Sequence, residues 1–151
     1  MPTILMVYAS MTGNTEEIAG AIAEGIRSTG ATLAIKEVMD ASAKELTAYD
    51  GILLGAYTWG DGELPDECMD FYGEMDEISL AGKRVAAFGS CDSNYDHVGA
   101  AVDILLQKAR DRGAVTPLPG LKIELAPTAQ EKESCKAFGV SFVELFSTET
   151  A

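Results

Sequence analysis

The chain has 151 residues, of which 47% are hydrophobic and 23% are charged. This length and composition are typical of one globular domain, which we expect to span residues 1–151. Eleven Lys and Arg stand against 24 Asp and Glu, so the formal net charge is −13 at neutral pH. A polyanion gains nothing by approaching another polyanion. The charge therefore argues against binding to nucleic acid or an anionic membrane and favours partners with a basic face.

The targeting and cysteine signals both favour a cytoplasmic protein. The first residues lack the pattern of a signal peptide, and no apolar run approaches the length of a membrane span. The cysteines, Cys68, Cys91 and Cys135, are odd in number and widely separated, which is typical of reduced thiols. Because there is no C-x-x-C motif, we expect neither an iron–sulfur cluster nor a zinc site.

Strand-like runs occupy residues 4–9, 32–38, 51–57, 85–89 and 121–125, in chain order. They alternate with helical patterns, which indicates an α/β fold with a parallel sheet. The first, third and fourth runs are almost entirely apolar, as expected for strands buried on both faces. The second and fifth contain charged residues, so we place them at the sheet edges. The predicted fold is a three-layer α/β/α sandwich with strand order 2-1-3-4-5 and five helices.

Each interval between or after the strands carries a helix signal. An apolar stripe ending at a glycine predicts the first and fourth helices, and a capping box predicts the second and fifth. A proline followed by two acids predicts the start of the third helix. The stripe of the first helix is Ile18, Ile22 and Ile26, followed by Gly30, and the stripe of the fourth is Val98, Val102, Leu105, Leu106 and Ala109, followed by Gly113. The capping boxes of the second and fifth helices are residues 42–45 and 128–131, and the proline and acids of the third are residues 65–67.

The loop after the first strand is dense in hydrogen-bonding side chains and leads into the first helix. Hydroxyl groups and the N–H groups of a helix amino terminus can cradle a phosphate. The loop has no Lys or Arg and matches neither G-x-x-x-x-G-K-S/T nor G-x-G-x-x-G, which argues against a P-loop or a dinucleotide site. It suits a phosphate monoester, and the alternative is a polar capping loop. Its residues are Ser10, Met11, Thr12, Gly13, Asn14 and Thr15.

The loops after the third and fourth strands each bring an aromatic side chain to the same end of the sheet. Trp59 is surrounded by small and polar residues, which favours an aromatic that stacks on a ligand. The alternatives are that Trp59 packs back on its own domain and that Tyr95 lies on the surface. Together the three loops favour a ligand with a planar ring and a phosphorylated tail. The second loop contains Thr58, Trp59, Gly60 and Asp61, and the third contains Ser90, Cys91, Asp92 and Tyr95.

These three motifs, in this order, resemble those of the flavodoxin family. The family pattern of a hydroxyl residue, x, Thr-Gly-x-Thr is matched by residues 10–15, Thr-Trp-Gly-Asp by residues 58–61, and Gly-x-x-Asp-x-x-Tyr by residues 89–95. Residues 115–125 continue without the insertion of the long-chain subgroup. The resemblance therefore implies the short-chain type, with a flavodoxin-like fold and one non-covalently bound FMN.

The resemblance also implies roles for individual residues. Ser10, Thr12, Asn14 and Thr15, with the N–H groups of Met11 and Gly13, would hold the phosphate. Trp59 and Tyr95 would enclose the isoalloxazine ring, the backbone of Ser90, Cys91 and Asp92 would meet its pyrimidine edge, and the Gly60–Asp61 peptide would lie beside N5. The implied function is that of a low-potential one-electron carrier, not an enzyme.

An acidic run in the middle of the chain predicts how partners are recognised. It has eight acids and no Lys or Arg, which favours electrostatic steering of basic partners, and the alternative is a solvated helix face. The resemblance implies a flavin-containing NADPH-dependent reductase as donor and acceptor redox enzymes beyond it. We expect a monomer. The rival function is an FMN-dependent NAD(P)H:quinone reductase, for which we find no nicotinamide motif. The acids are Asp61, Glu63, Asp66, Glu67, Asp70, Glu74, Asp76 and Glu77.

Overall fold

The strands of the computed structural model form one parallel sheet with the order β2-β1-β3-β4-β5. The structure describes residues 3–9, 13–57, 66–91, 100–124 and 127–149, and in residues 91, 124 and 147–149 the backbone alone. The predicted order and both predicted edge strands are confirmed. The strands are β1 (Thr3–Tyr8), β2 (Thr32–Glu37), β3 (Gly51–Gly55), β4 (Arg84–Cys91) and β5 (Leu121–Glu124).

The bounds of the strands differ from the prediction by one or two residues, and the larger differences are at β3 and β4. β4 extends past the predicted residue 89 because Ser90 and Cys91 pair with Ile123 and Glu124 of β5. β3 ends at Gly55, short of the predicted residue 57, although the Ala56 N–H still donates to the Phe88 carbonyl at 3.2 Å.

Helical segments fill the predicted intervals. The α-helices are α1 (Asn14–Ser28), α2 (Met69–Glu74), α3 (Ala100–Asp111) and α4 (Ala129–Glu149). The predicted second helix is a 3-10 segment, Ala43–Ala48, preceded by a shorter one at Val38–Asp40. Two further 3-10 segments, Asp66–Cys68 and Met75–Glu77, extend α2 at both ends. The five predicted helices are thus present, the second as a tighter 3-10 turn.

Helices cover both faces of the sheet, as the three-layer prediction requires. Ile4, Met6 and Tyr8 of β1 pack with α1 and α4, whereas Leu5 and Val7 pack with α2, α3 and Ala43–Ala48. Successive residues of a strand point to opposite faces, so β1 contributes to both cores. The predicted stripe of Ile18, Ile22 and Ile26 is fully buried in the first of these layers.

The predicted capping boxes form as hydrogen-bonded structures. The Thr128 N–H donates to Glu131 Oε1 at 3.0 Å, and the Glu131 N–H donates to Thr128 Oγ1 at 3.1 Å. In the second box the Ser42 N–H donates to Glu45 Oε2 at 2.7 Å. Glu45 also pairs with Lys36, and these two contacts lower the pKa of its carboxyl group. Both boxes start their helices at the predicted positions.

Two glycines let α1 and α4 approach each other closely. A Cβ atom on Gly25 would stand 2.1 Å from the Lys136 carbonyl oxygen, and one on Gly139 would stand 2.4 Å from the Ile22 carbonyl oxygen. Neither distance leaves room for a methyl group, so the two backbones lie almost in contact. This packing sets how α1 lies across the sheet.

Candidate cofactor-binding site

The strands that precede the three predicted loops end side by side. The Ala9 N–H donates to the Gly55 carbonyl at 2.9 Å, which joins the ends of β1 and β3, and the Ala56 N–H donates to the carbonyl of Phe88 in the second half of β4. Because β2 lies on the opposite side of β1 from β3, the connection direction reverses between β1 and β3. Ligands of open α/β sheets bind at such a reversal, on the carboxyl side of the strands.

The amino terminus of α1 opens onto this edge. Gly13 is the residue that caps the helix, with φ 91° and ψ −8°, and no side chain of the described residues makes a capping hydrogen bond there. Apart from Gly13 and its neighbours in the chain, no atom of the described residues lies within 4 Å of the place where a Cβ atom of Gly13 would stand. The first-turn N–H groups of a helix have no partner inside the helix, so the space beside Gly13 suits an anion.

An open cleft lies next to this helix end. It has a volume of about 630 Å³ and is lined by Gly13, Asn14, Glu16 and Glu17 among the described residues. The positive end of the helix dipole stabilises the two glutamates, but their negative charge repels a bound anion. No basic residue is among these lining residues, so binding of a phosphate here would depend on neutral donors. The cleft therefore fits a phosphate held by hydroxyl, amide and N–H groups.

A hydroxyl pair connects α1 to the end of β4. Thr15 Oγ1 and Ser90 Oγ lie 2.8 Å apart, and either can be the donor. Thr15 is 1% exposed and Ser90 is 6% exposed, so both hydroxyls are withdrawn from bulk water. The pair brings a residue of the first predicted loop into contact with a residue of the third.

Two tyrosines that the motifs did not indicate lie at the strand ends. The Tyr57 hydroxyl donates to Glu67 Oε1 at 2.8 Å and so joins the segments on either side of residues 58–65. Burial, and then this carboxylate, raise the pKa of Tyr57 well above its usual range. Burial also raises the pKa of Tyr8, with smaller effects of Glu16 and Glu37. Both tyrosines therefore remain neutral phenols at physiological pH.

The acidic run is partly neutralised by tertiary contacts. Glu74 accepts a hydrogen bond from the Ala43 N–H at 3.0 Å. Lys108 pairs with Asp76 at 2.5 Å and lies 4.1 Å from the centre of the Tyr72 ring. Three other acids of the run are exposed and have no ion pair or hydrogen bond to any residue in the described ranges: Asp66, Asp70 and Glu77.

Of the predicted site residues, Gly13, Asn14, Thr15 and Ser90 are described, together with the backbone of Cys91. The remaining predicted site residues lie outside the described residues: Ser10, Met11, Thr12, Thr58, Trp59, Gly60, Asp61, Asp92 and Tyr95. The described ranges contain no group of three or more His, Cys, Asp or Glu side chains arranged to hold a metal ion.

Gly89 is a site feature that the sequence signalled only through its place in a motif. A Cβ atom on Gly89 would stand 2.1 Å from the Ala56 carbonyl oxygen, so the backbone just after β3 lies against β4 one residue before Ser90. A Cβ atom on Gly55 would stand 2.3 Å from the ring of Phe88, so this ring occupies the space beside Gly55. These contacts fix the backbone that carries Ser90.

This architecture, a parallel 2-1-3-4-5 sheet with helices on both faces and a cleft beside its reversal point, defines a flavodoxin-like α/β protein. The profile of the family described as "Flavodoxin" matches residues 6–139. "Probable flavodoxin 2" of Bacillus subtilis strain 168 is 44% identical over 143 residues, which cover 94% of this chain and 95% of that protein.

Solved structures agree with the sequence relatives. Oxidised flavodoxin 1 from Bacillus cereus superposes with a TM-score of 0.92 and 52% identity, covering 94% of this chain and 97% of that one. A short-chain flavodoxin associated with a bacterial microcompartment superposes with a TM-score of 0.91 and 28% identity, covering 96% and 99%.

The chain belongs to the flavodoxin family and is of the short-chain type. Flavodoxins bind FMN and carry electrons between redox partners, and they are electron-transfer proteins and not enzymes. The resemblance drawn from the three motifs is confirmed, and the quinone reductase alternative is not favoured. No helix in the described ranges has the length and apolarity needed to cross a membrane.

Proposed function

We propose that this chain is a low-potential one-electron carrier. It takes electrons from a flavin-containing NADPH-dependent reductase and delivers them to acceptor redox enzymes, with FMN bound at the carboxyl edge of β1, β3 and β4. The observation that carries the location of the cofactor is the amino terminus of α1 at Gly13, which lines the cleft at the reversal point of the sheet. FMN supplies the one-electron redox chemistry when bound.

The proposed contacts follow the three motifs. Hydroxyl, amide and N–H donors hold the phosphate without a cation, and two aromatic side chains enclose the ring. The backbone at the end of β4 meets the pyrimidine edge, and the loop after β3 lies beside N5. The phosphate donors are Ser10, Met11, Thr12, Gly13, Asn14 and Thr15, and the two aromatic side chains are Trp59 and Tyr95. The backbone at the pyrimidine edge is that of Ser90, Cys91 and Asp92, and the loop beside N5 contains Thr58, Gly60 and Asp61.

The acidic surroundings support the low potential. Asp66, Asp70 and Glu77 are exposed, and the whole chain carries a net charge of −13. Negative charge repels the further negative charge that reduction adds, which lowers the potential for accepting an electron. The same acids attract a partner with a basic face.

The proposed setting is a monomer in the cytoplasm. Four large apolar side chains are exposed in the described ranges, which together with the charge supports a chain that does not self-associate. Cys68 and Cys135 are free and buried thiols, which supports a reducing compartment.

Titration of the apoprotein with three flavins tests the proposed cofactor site. We expect one FMN per chain, bound more tightly than riboflavin by about tenfold or more, because the phosphate accepts several charge-assisted hydrogen bonds. FAD should bind more weakly than FMN, since a cradle for a monoester has no place for a second phosphate. Quenching of flavin fluorescence gives the three dissociation constants.

Two variants serve as the pair for this titration. Thr15→Ala should weaken FMN binding and leave riboflavin binding nearly unchanged. Thr47→Ala removes an exposed hydroxyl that donates to the Lys44 carbonyl, away from the cleft, and should change neither constant. Equal affinity of the unsubstituted protein for riboflavin and FMN would show that no phosphate cradle exists.

A further inference from the structure

The Thr15–Ser90 pair joins residues that are 75 positions apart in the chain. Thr15 lies in the first turn of α1, and Ser90 lies near the carboxyl end of β4. Both side chains are almost completely buried, and the two oxygens are 2.8 Å apart. A hydrogen bond between these two hydroxyls uses the proton of one of them, in one of two directions.

Each hydroxyl has a single proton to donate and two lone pairs to accept with. If Thr15 donates its proton to Ser90, the Thr15 oxygen can offer only its lone pairs to a ligand, and these repel a phosphate oxygen. If Ser90 donates to Thr15, the Thr15 proton is free for an anion at the helix end. Only the second direction is compatible with the role that the proposed function gives to Thr15.

We propose that Ser90 is a positioning residue for the phosphate site, acting through Thr15. Its hydroxyl donates to Thr15 Oγ1, and this turns the Thr15 O–H outward, toward the phosphate. The inference rests on the proposed FMN site and assigns to the Ser90 side chain a role separate from that of its backbone. Hydrogen bonds arranged in such a chain strengthen one another, so the Thr15 hydroxyl becomes a better donor to the anion.

The backbone around Ser90 is suited to this role because it cannot shift. Gly89 lies against the carbonyl of Ala56, the residue after β3, and Ser90 itself pairs with Ile123 of β5. Thr15 is held by α1, whose glycine contacts with α4 fix its position across the sheet. The two hydroxyls are therefore presented to each other by rigid elements.

The test is the ratio of the riboflavin and FMN dissociation constants in a double-mutant cycle of Ser90→Ala and Thr15→Ala. We expect Thr15→Ala to lower this ratio by about tenfold or more, and Ser90→Ala to lower it by about two- to fivefold, because Ser90 acts only through the donor strength of Thr15. In the Thr15→Ala background, Ser90→Ala should cause no further loss.

The riboflavin constant separates a positioning role from a structural one. If Ser90→Ala weakens FMN and riboflavin equally, or weakens neither, the inference is wrong. It is also wrong if the effect of Ser90→Ala persists in the Thr15→Ala background, since Ser90 would then act independently of Thr15. If the unsubstituted protein fails to prefer FMN, the proposed cradle itself fails, which is a different result.

A second pair of variants keeps the test available if Ser90→Ala does not fold. Ser90→Cys is close in size and replaces the hydroxyl by a weak donor, so it should lower the ratio in the same direction. Thr15→Ser keeps the hydroxyl and should retain most of the preference for FMN. The phosphorus resonance of bound FMN should shift in Ser90→Cys and stay close to its original position in Thr15→Ser; the reverse pattern would contradict the proposal.

Discussion

Burial decides the chemistry of single side chains in this protein, and the cysteines illustrate it. Cys68 is 5% exposed and Cys135 is fully buried, and both are free thiols. Burial, with a smaller effect of Glu67, raises the pKa of Cys68 to about 12. Burial and Glu131 raise the pKa of Cys135 to about 11. Only the thiolate is a good nucleophile, so neither residue is activated for redox chemistry near neutral pH.

These raised pKa values predict how stability depends on alkaline pH. In the unfolded chain a thiol ionises from about pH 9, whereas the folded Cys68 keeps its proton until about pH 12. The unfolded state then binds fewer protons, so the contribution of this thiol to the free energy of unfolding should be constant below about pH 9 and fall as the pH rises toward 12. Urea midpoints measured from pH 8 to 11 would report this slope.

Substitution of each cysteine measures its contribution to the fall of the unfolding free energy with rising pH. Cys68→Ala should lower stability by about 1 kcal/mol or more through the cavity it leaves, and should also flatten the fall above about pH 9. Cys135→Ala should flatten it over a narrower range, because its pKa is raised less. An unchanged slope in Cys68→Ala would show that its thiol ionises equally in both states.

The α1–α4 contact shows that the position of an element can depend on residues that have no side chain. Gly25 and Gly139 bring the backbones of the two helices almost into contact. Gly20 lies in the same helix α1, but it is exposed and a Cβ atom there would meet nothing within 4 Å. The three glycines therefore look alike in sequence and differ only in what stands beside them.

We expect opposite effects from the same substitution at two of these positions. Gly25→Ala should destabilise the protein by about 1–3 kcal/mol, because its methyl group must displace the backbone of α4. Gly20→Ala should stabilise it by about 0.5–1 kcal/mol, because alanine favours the helix and meets open space. Denaturant unfolding of both variants provides the comparison. A stabilising Gly25→Ala would mean that the two helices do not lie this close.

At the scale of the whole molecule, the surface charge is more uneven than the composition suggests. Among the described residues, four lysines pair with acids, at Glu45, Asp76, Asp103 and Glu24, and these pairs neutralise part of the positive charge. Lys83 donates instead to the Tyr49 carbonyl at 2.6 Å. The acids left without such partners set the field that a redox partner meets.

Neutralising two of these acids should slow association with a basic partner. In Asp66→Asn/Asp70→Asn, we expect the second-order rate of reduction by a flavin-containing NADPH-dependent reductase to fall by about threefold or more at low salt, with a weaker dependence on ionic strength. Stopped-flow measurements at subsaturating protein give both quantities.

A control variant removes the same net charge elsewhere. Asp111→Asn/Glu144→Gln neutralises two exposed acids, one at the end of α3 and one in the second half of α4. If steering is local to the acidic run, this variant should behave nearly like the unsubstituted protein. Equal slowing in both double variants would mean that net charge, and not the location of the acids, attracts the partner.

Most of the fold could be predicted because its signals are local. The apolar run at residues 4–9 and the mixed run at residues 32–38 already distinguish a central strand from an edge strand. The capping boxes at residues 42–45 and 128–131 need only contacts three residues apart, so the sequence contains both partners of each hydrogen bond. The glycines at 30 and 113 have φ values of 88° and 96°, as expected after a helix.

The sequence by itself determined the order of elements, the edges of the sheet, the helix caps and the three motifs of the family, since each depends on residues close together in the chain. Only the tertiary structure decided that Thr15 meets Ser90, that Tyr57 meets Glu67, and that Lys108 neutralises part of the acidic run. The first and third of these contacts join residues separated by tens of positions, and the Tyr57–Glu67 contact spans a loop. No periodicity or spacing reports such pairs, because their distance is set by how the strands and helices pack and not by their separation along the chain.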